Sequence, residues 1–539
     1  MESFENNGNF ILGCDIGNGF GYISCLYSAS ADPETLFPTG YGLEMLGMPT
    51  TAFVSAPSGE PILVFSGGKS VEEQTRCKRS PERFVRAVKT RLKEKNLAIS
   101  GVEPLVETDK IYAAIARDLI SLAHERLGDS GRAPVYDIVF TFPSSFADDT
   151  EVLERMQRSI ESIDMGGKKI RVAGRLPEPA AVAIDYLYYM QNIAPEEIKI
   201  TKDDFTVLVY DLGHGTFDTA VVTASSKGEP YRLHTKSGLP AVGGKDFDEL
   251  IYREFCTLLE REHGYTPKES EKENVRKAAV DAKIELTDKE VSVQEIQLDN
   301  TYMDVSITRE RFEKLGEYLI TQTLELVQEV LENAEENGIK IDCVVLSGGS
   351  SRMPMVKRTL EELLEGSMPV VLYRPSQAVS YGAARYAYGI TQKREKGKAA
   401  AEEKPAAKKN GASNSVMEQL TDCCYGIWLP APNKLAGEVK FLIKCGEKRP
   451  AASEKAVIYS NSACLQVKLY RYAEKNKNAD TADTEECESV IWLPFDVTPG
   501  ARCTVSITAE EDYSLKVHLE SDKDGVREKS TSDIISNLI

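Results

Sequence analysis

Two stretches of eighteen residues repeat one pattern, and few folds can satisfy it twice. "ILGCDIGNGFGYISCLYS" (11–28) and "VLVYDLGHGTFDTAVVTA" (207–224) each run as an apolar strand, an aspartate, an apolar residue, Gly-x-Gly and a second β-prone strand. A tight strand-to-strand turn made twice at the same spacing calls for a duplicated lobe. The glycines allow φ above zero and close backbone approach, and each acid sits at a strand end, where it can face a hydrated cation. Taken singly, either turn is an ordinary Gly-rich hairpin.

A third segment, "DCVVLSGGSSRMPMVKRTLEELL" (342–364), reads as a buried strand, two glycines, a serine pair and a helix. Free N–H groups at that helix start, with no side chain at Gly348 or Gly349, suit a phosphate or a planar base. The plainer alternative is a βα loop with a serine cap. Neither G-x-x-x-x-G-K-[ST] nor a helix-opening G-x-G-x-x-G occurs, which disfavours P-loop and dinucleotide-binding folds.

Around these segments, strand-like runs ("YDIVFTFP", "FTVLVYDLG", "IDCVVLSGG") alternate with helical ones ("IYAAIARDLISLAHERL", "RERFEKLGEYLITQTLELVQEVLENAEENG"). Residues 1–390 are therefore read as an α/β region of more than one lobe. Apolar periodicity stops at "TQKREKGKAAAEEKPAAKKNGASNS" (391–415), read as a Lys/Ala/Glu-rich linker. Short alternating runs in 416–539 predict a small all-β sandwich, with a loop at 473–489 and no long helix after it.

A formal net charge of −19 in 539 residues argues against a nucleic-acid or anionic-membrane binder and for a monomer. No apolar run suits a membrane span and no signal peptide opens the chain, so a cytoplasmic location is expected. Eleven cysteines without a C-x-x-C read as reduced, packed thiols, with a redox role for Cys423 and Cys424 as the alternative.

The ordered set of motifs resembles the 70-kDa heat-shock protein chaperones of the actin-like ATPase superfamily. "CDIGNGFG" and "YDLGHGTFD" look like the two phosphate loops, "VFTFPSSFADD" and "RLPEPAAVAIDYL" the connecting segments, "VGGKDFDELI" a Gly-Gly turn, and "LSGGSSRMPMV" the adenosine segment. "CTVSITAEEDYSLKVHLESDKDGVREKS" is similar to closing strands of the family's peptide-binding β-domain. The resemblance implies a two-lobed actin-like ATPase domain with ribonuclease H-like sheets, ATP or ADP with Mg²⁺ as cofactors, and unfolded or extended polypeptide as client. It also implies a J-domain co-chaperone and a nucleotide-exchange factor as partners.

Carried over by residue, the resemblance implies that Asp15 and Asp211 orient the water shell of Mg²⁺, while the loops Gly17, Asn18, Gly19, Phe20 and Gly213, His214, Gly215, Thr216 hold phosphate oxygens. Lys89 and Glu178 would flank the attacking water and Thr216 would offer its hydroxyl. Gly244, Lys283, Gly348, Gly349, Ser350 and Arg352 would line ribose and adenine. By strand alternation, Ile427, Leu465 and Val467 would face a peptide groove or, equally, the core. Lys89 could instead be a solvated helix lysine and Glu178 a helix-start acid.

The sequence departs from the family at several points. Asn18-Gly19 replaces two threonines, Val280 and Ile284 replace a Glu and an Arg around adenine, Ser376 replaces an acid, and His214 stands where glycine is usual. The linker is longer than the family's Leu-rich one, with only Val416, Met417 and Leu420 to stand in for it, and a helical lid is lacking. His214 is either an outward imidazole or a phosphate donor strengthened by protonation between pH 8 and 6. Two other functions fit the same residues: a nucleotide-gated scaffold with little hydrolysis, and an actin-like filament former.

Overall fold

The computed structural model describes residues 10–28, 31–37, 47–55, 63–70, 83–99, 102, 105–147, 149–194, 202, 204–225, 231–298, 301–402, 417–419, 424–429, 438–444, 451–453, 455–459, 464–472, 481–482, 488–498, 501–509, 515–523 and 525–530. The chain divides into two compact units, the first covering 1–146, 155–229 and 236–414, the second 147–154, 230–235 and 415–539.

The repeated sequence template becomes a repeated sheet in the first unit. In one sheet Leu12–Ile16 pairs antiparallel with Phe20–Cys25 and parallel with Asp137–Phe142, which pairs parallel with Arg171–Pro177. In the other, Asp204–Leu212 pairs antiparallel with Phe217–Ser225 and parallel with Cys343–Ser347, which pairs parallel with Val370–Leu372. Both sheets thus run as two parallel strands followed by a Gly-turn hairpin, as a duplicated α/β lobe requires. The α/β fold expected of the chain is the one observed.

Helices cover these sheets because their apolar positions recur every three or four residues. Arg309–Glu336 buries Phe312, Gly316, Leu319, Ile320, Thr323, Val327, Val330 and Ala334 along one stripe. Its start is fixed by Thr308, whose hydroxyl accepts the Arg311 N–H at 3.1 Å. That stripe joins Tyr210, Phe217, Phe247 and Phe255 in one core, and the Tyr210 and Thr323 hydroxyls meet at 2.7 Å within it. Helices Glu178–Tyr188 and Ala378–Glu402 pack so closely that a side chain at Gly382 would overlap the backbone of Ala181.

In the second unit, Thr481–Ala482, Glu438–Ile443, Cys424–Leu429, Cys464–Tyr472 and Glu488–Asp496 form one sheet in that order. Ala451–Ala452, Arg502–Ala509, Leu515–Ser521 and Gly525–Ser530 form a second, with Ala456–Tyr459 also pairing Arg502–Ala509. Apolar side chains of both sheets, among them Leu442, Leu469, Phe495, Val505, Ile507 and Leu519, share a core.

Several expectations need correction. Ile427 and Val467 lie inside that core, 0% and 2% exposed, and so do not line a groove; alternation sorts faces without saying which face is covered. The side chain of Leu465 lies outside the described residues. The stretch 391–415 does not begin as a linker, because helix Ala378–Glu402 continues into it. Lys, Ala and Glu are strong helix formers, so a segment that lost its apolar stripe kept its backbone preference. Residues 403–416, Leu420 and Cys423 lie outside the described residues, as does anything after 530.

The loop read at 473–489 is interrupted by Thr481–Ala482 and ends at strand Glu488–Asp496. The described cysteines Cys14, Cys25, Cys256, Cys343, Cys424 and Cys503 are all free thiols, and only Cys256 is not buried. No helix among the described residues is long and apolar enough to cross a membrane.

Candidate functional site

The two Gly-turns close in the same way. Gly17 N–H donates to the Phe20 carbonyl at 3.0 Å, and Gly213 N–H donates to the Thr216 carbonyl at 3.0 Å. Each aspartate sits at the end of its first strand, Asp15 opposite Tyr22 and Asp211 opposite Asp218. Thr50 ties the first turn down from outside, its hydroxyl donating to the Gly17 carbonyl at 2.6 Å and its N–H to the Gly19 carbonyl at 3.0 Å.

The expected reason for the glycines was half right. Gly17, Gly19, Gly213, Gly215 and His214 all lie outside the left-handed region, so backbone strain does not select them. Space does: a Cβ on Gly17 would lie 2.6 Å from the Phe20 carbonyl oxygen, and one on Gly215 would lie 2.8 Å from Asn18 Nδ2. Gly348, at φ +79°, is the glycine of this region that the backbone itself demands.

Between the turns, one buried ammonium meets four buried carboxylates. Lys89, on the short helix Val88–Arg91 that follows Ala87 at φ 53°, is 2% exposed. Its Nζ donates to Glu178 Oε1 and stands 3.7 Å from Asp15 Oδ1. Thr141 Oγ1 donates to the same Asp15 oxygen at 3.1 Å. Lys89 is therefore a buried member of the cluster, not a solvated helix lysine. Glu178 is the first residue of its helix and is brought in by the turn Pro177–Pro179.

Asp218 is the member that sequence reasoning missed. It accepts the Ser144 N–H and the Thr216 hydroxyl, and its Oδ2 has no partner among the described residues. The signal was present: Asp218 ends the motif "GHGTFD", and any hairpin closed by that turn pairs it with Asp211.

Crowded negative charge in a low-dielectric site raises carboxyl pKa values. Burial pushes Asp15 up to about 6, with Glu178 adding to the rise and Lys89 opposing it. Burial and then Glu178 push Asp218 up to about 8, and burial with Glu178, Asp218 and Asp15 holds Asp211 well above the usual range. Lys89 loses stability as a cation through burial, but Glu178 and Asp15 more than reverse this and keep it charged. The negative charge of the free site thus exceeds what Lys89 alone offsets. Among the described residues no cluster of three or more His, Cys, Asp or Glu is spaced to ligate an ion directly. A donor set of hard oxygens in need of positive charge fits a hydrated divalent cation.

The third segment joins the second turn. Ser350 Oγ donates to the Gly213 carbonyl at 3.0 Å, Gly244 N–H donates to the same carbonyl at 2.9 Å, and Lys283 Nζ donates to the Gly244 carbonyl at 3.0 Å. Lys283 also pairs with Asp248 at 2.7 Å. Gly244 opens helix Gly244–His263, while Gly349–Arg352 forms a 3₁₀ turn ahead of helix Pro354–Leu363, capped by Met353 and not by serine. Arg352 is exposed. The structure therefore gathers Gly213, Gly244, Lys283 and Ser350 at one corner, and Asp15, Lys89, Glu178, Asp211, Thr216 and Asp218 at the centre.

The family model described as Hsp70 protein matches residues 67–398 of this chain. The chain belongs to the Hsp70 family. Its similarity to "Chaperone protein DnaK" of Halobacterium salinarum is 29% identity over 383 residues, 69% of this chain and 55% of the relative. A "Ribosome-associated molecular chaperone" of Eremothecium gossypii is 30% identical over 301 residues, 54% of this chain and 45% of the relative. Its namesake in Saccharomyces cerevisiae is 29% identical over 279 residues, 51% of this chain and 42% of the relative. The chain thus spans about half the length of the curated relatives it matches.

Two of the singled-out residues, Ile284 and His214, differ in exposure and charge environment. Ile284, one residue after Lys283, is 59% exposed and presents an apolar surface there. His214 is half-buried, and burial followed by Lys283, Lys245 and Arg86, against Asp248, lowers its pKa from 6.5 to about 4. Its imidazole in the free protein is therefore neutral from pH 8 to 6.

In the free protein the same shift makes folding pH-dependent at lower pH. A histidine whose folded pKa is depressed gives stability that is complete above about 6.5 and is lost as pH falls toward about 4, because the unfolded chain takes up the proton first. The loss is on the order of 3 kcal/mol. Urea midpoints taken near pH 7.5 and pH 4.5 should therefore fall further in the wild type than in His214→Gln. Equal falls in the two proteins would refute this.

Proposed function

We propose that this chain binds ATP and ADP with Mg²⁺ in its first unit, hydrolyses ATP slowly, and works as a chaperone that holds unfolded or extended polypeptide through its second unit. The observation that carries the reading is the convergence of Lys89 with Asp15, Glu178, Asp211 and Asp218 between two Gly-turns of identical hydrogen bonding. When bound, Mg²⁺ supplies charge neutralisation for the phosphates.

The remaining work falls to the chain's own groups. Asp15 and Asp211, whose carboxyls burial and neighbouring acids raise, would hold the hydrated ion through its water shell. The N–H groups of Gly17 and Gly213 close their turns, and the following backbone N–H groups, Asn18 to Phe20 and His214 to Thr216, are offered to phosphate oxygens. Lys89 places its ammonium beside the transferred phosphoryl group while holding Glu178 for the attacking water. Glu178 or Asp218 takes the water's proton as ADP and phosphate form; the Thr216 hydroxyl, now on Asp218, is free to swing to the phosphate. Gly244, Lys283, Gly348, Gly349, Ser350 and Arg352 form the nucleoside side.

A cytoplasmic monomer working with a J-domain co-chaperone and a nucleotide-exchange factor completes this reading. The polypeptide surface does not include Ile427 or Val467, which the core consumes. One observation favours a second reading, a nucleotide-gated scaffold: Asn18 and Gly19 supply no hydroxyl to phosphate, and Ile284 offers the base no stacking cation.

Purified chain supplied with ATP and Mg²⁺ should release phosphate slowly, and Asp211→Asn should reduce that release by roughly 10²-fold or more. Equal release by both proteins would overturn the assignment.

A further inference from the structure

We infer that Gly19 and His214 form a size-matched pair across the two turns, and that His214 thereby sets nucleotide affinity at this site. The inference rests on the nucleotide reading above and adds a specificity-determining residue to it. A Cβ built on Gly19 would lie 3.0 Å from His214 Cγ and 3.1 Å from its Cβ. The reverse contact exists as well: a Cβ on Gly215 would lie 2.8 Å from Asn18 Nδ2 and 3.1 Å from Asn18 Cβ and Cγ. Each turn thus covers the glycine of the other with its own side chain. Because neither glycine has a left-handed backbone, interlocking is what favours a small residue at both positions.

The interlock is braced from both sides. Asn18 Oδ1 accepts the Thr90 N–H at 3.1 Å, next to Lys89, which fixes the first turn to the lysine-bearing helix. The His214 carbonyl accepts the Lys245 N–H at 2.8 Å, which fixes the second turn to the start of helix Gly244–His263. Among the described residues the ring of His214 takes no hydrogen bond, and the charged groups facing it are Lys283, Asp248, Lys245 and Arg86. A neutral imidazole so placed keeps one N–H donor for a polyphosphate entering between the turns. That donor stands where Asn18 and Gly19 offer no hydroxyl. The ring can occupy its place only because position 19 carries no side chain.

A double-mutant cycle tests the pair directly. With Mg²⁺ and ADP in a titration calorimeter, His214→Gly should weaken binding by roughly fivefold through loss of one donor. Gly19→Thr should weaken it by about tenfold or more through overpacking. The double variant should return to within about threefold of wild type, because the threonine fills the vacated space and restores a hydroxyl. Single effects that simply multiply in the double variant would overturn the pairing.

Thermal melting without nucleotide separates this failure from failure of the nucleotide reading. Gly19→Thr should lower the midpoint when His214 is present and leave it unchanged in the His214→Gly background, with Gly19→Ala as a milder substitute should the threonine variant not fold. An equal drop in both backgrounds refutes the steric pair whether or not nucleotide binds. A wild type that melts as described yet fails to bind ADP refutes the affinity role while leaving the packing intact.

Discussion

Lys89→Ala is expected to abolish ATP turnover, by about 10³-fold, and to raise the number of protons bound by the free protein. The effect is large because Asp15 and Glu178 are in contact with the Lys89 ammonium, while burial and neighbouring acids raise Asp211 and Asp218 and the Lys89 charge opposes that rise. A buried charge left unpaired costs roughly 3–5 kcal/mol, and carboxylates meet that cost by protonating. The variant should therefore stay folded near pH 5, where extra protons are available, and lose stability as pH rises toward 8. Lys89→Arg preserves charge but not shape and should keep the stability while losing most of the rate. Turnover above a tenth of wild type in Lys89→Ala would mean that the ammonium is not part of the chemistry.

The second large effect lies away from the site, at Asp185. This residue is fully buried on the helix that begins with Glu178. It accepts hydrogen bonds from Arg385 Nε at 2.7 Å and the Tyr373 hydroxyl at 3.0 Å, with Arg374 Nη1 at 3.5 Å. Asp32 completes the set, 2.9 Å from Arg385 and 2.6 Å from Arg374. Two acids thus balance two guanidiniums. Asp185→Ala leaves Arg385 without its buried partner and should cost roughly 3–5 kcal/mol in the unfolding transition of the first unit, followed by denaturant titration. Asp185→Ala with Arg385→Leu leaves the balanced Arg374 and Asp32 pair and should recover most of that loss. A single variant within about 1 kcal/mol of wild type would show that the network stabilises little.

The hairpins were readable because their signal is local. Strand, acid and paired glycines within eighteen residues force one turn geometry, and a second copy implied the second sheet. The cluster was only partly readable because it is assembled from distant segments. Lys89 lies on a four-residue helix with no amphipathic stripe, and nothing in its neighbourhood announces a contact with Glu178. Asp218 was overlooked although ladder geometry alone places it beside Asp211. Asp185 and Arg385 were invisible, since their pairing depends on how closely Gly382 lets two helices approach.

Other differences have equally specific causes. Glycine requirements in the turns were assigned to both backbone conformation and close approach, and only the second holds, as Gly19 against His214 shows. The segment after Thr391 lost its apolar stripe but kept residues that favour helix, so composition marked a boundary before the helix ended. For Ile427 and Val467 alternation left groove and core open, and the core took both.

Single-turnover hydrolysis of ATP, measured with excess chain and Mg²⁺ alongside ATP affinity, tests the central claim most directly. Wild type is predicted to bind ATP and convert it to ADP and phosphate in one slow exponential phase, while Asp211→Asn loses that phase. Tight binding with no conversion in wild type would contradict the claim and leave a nucleotide-gated scaffold.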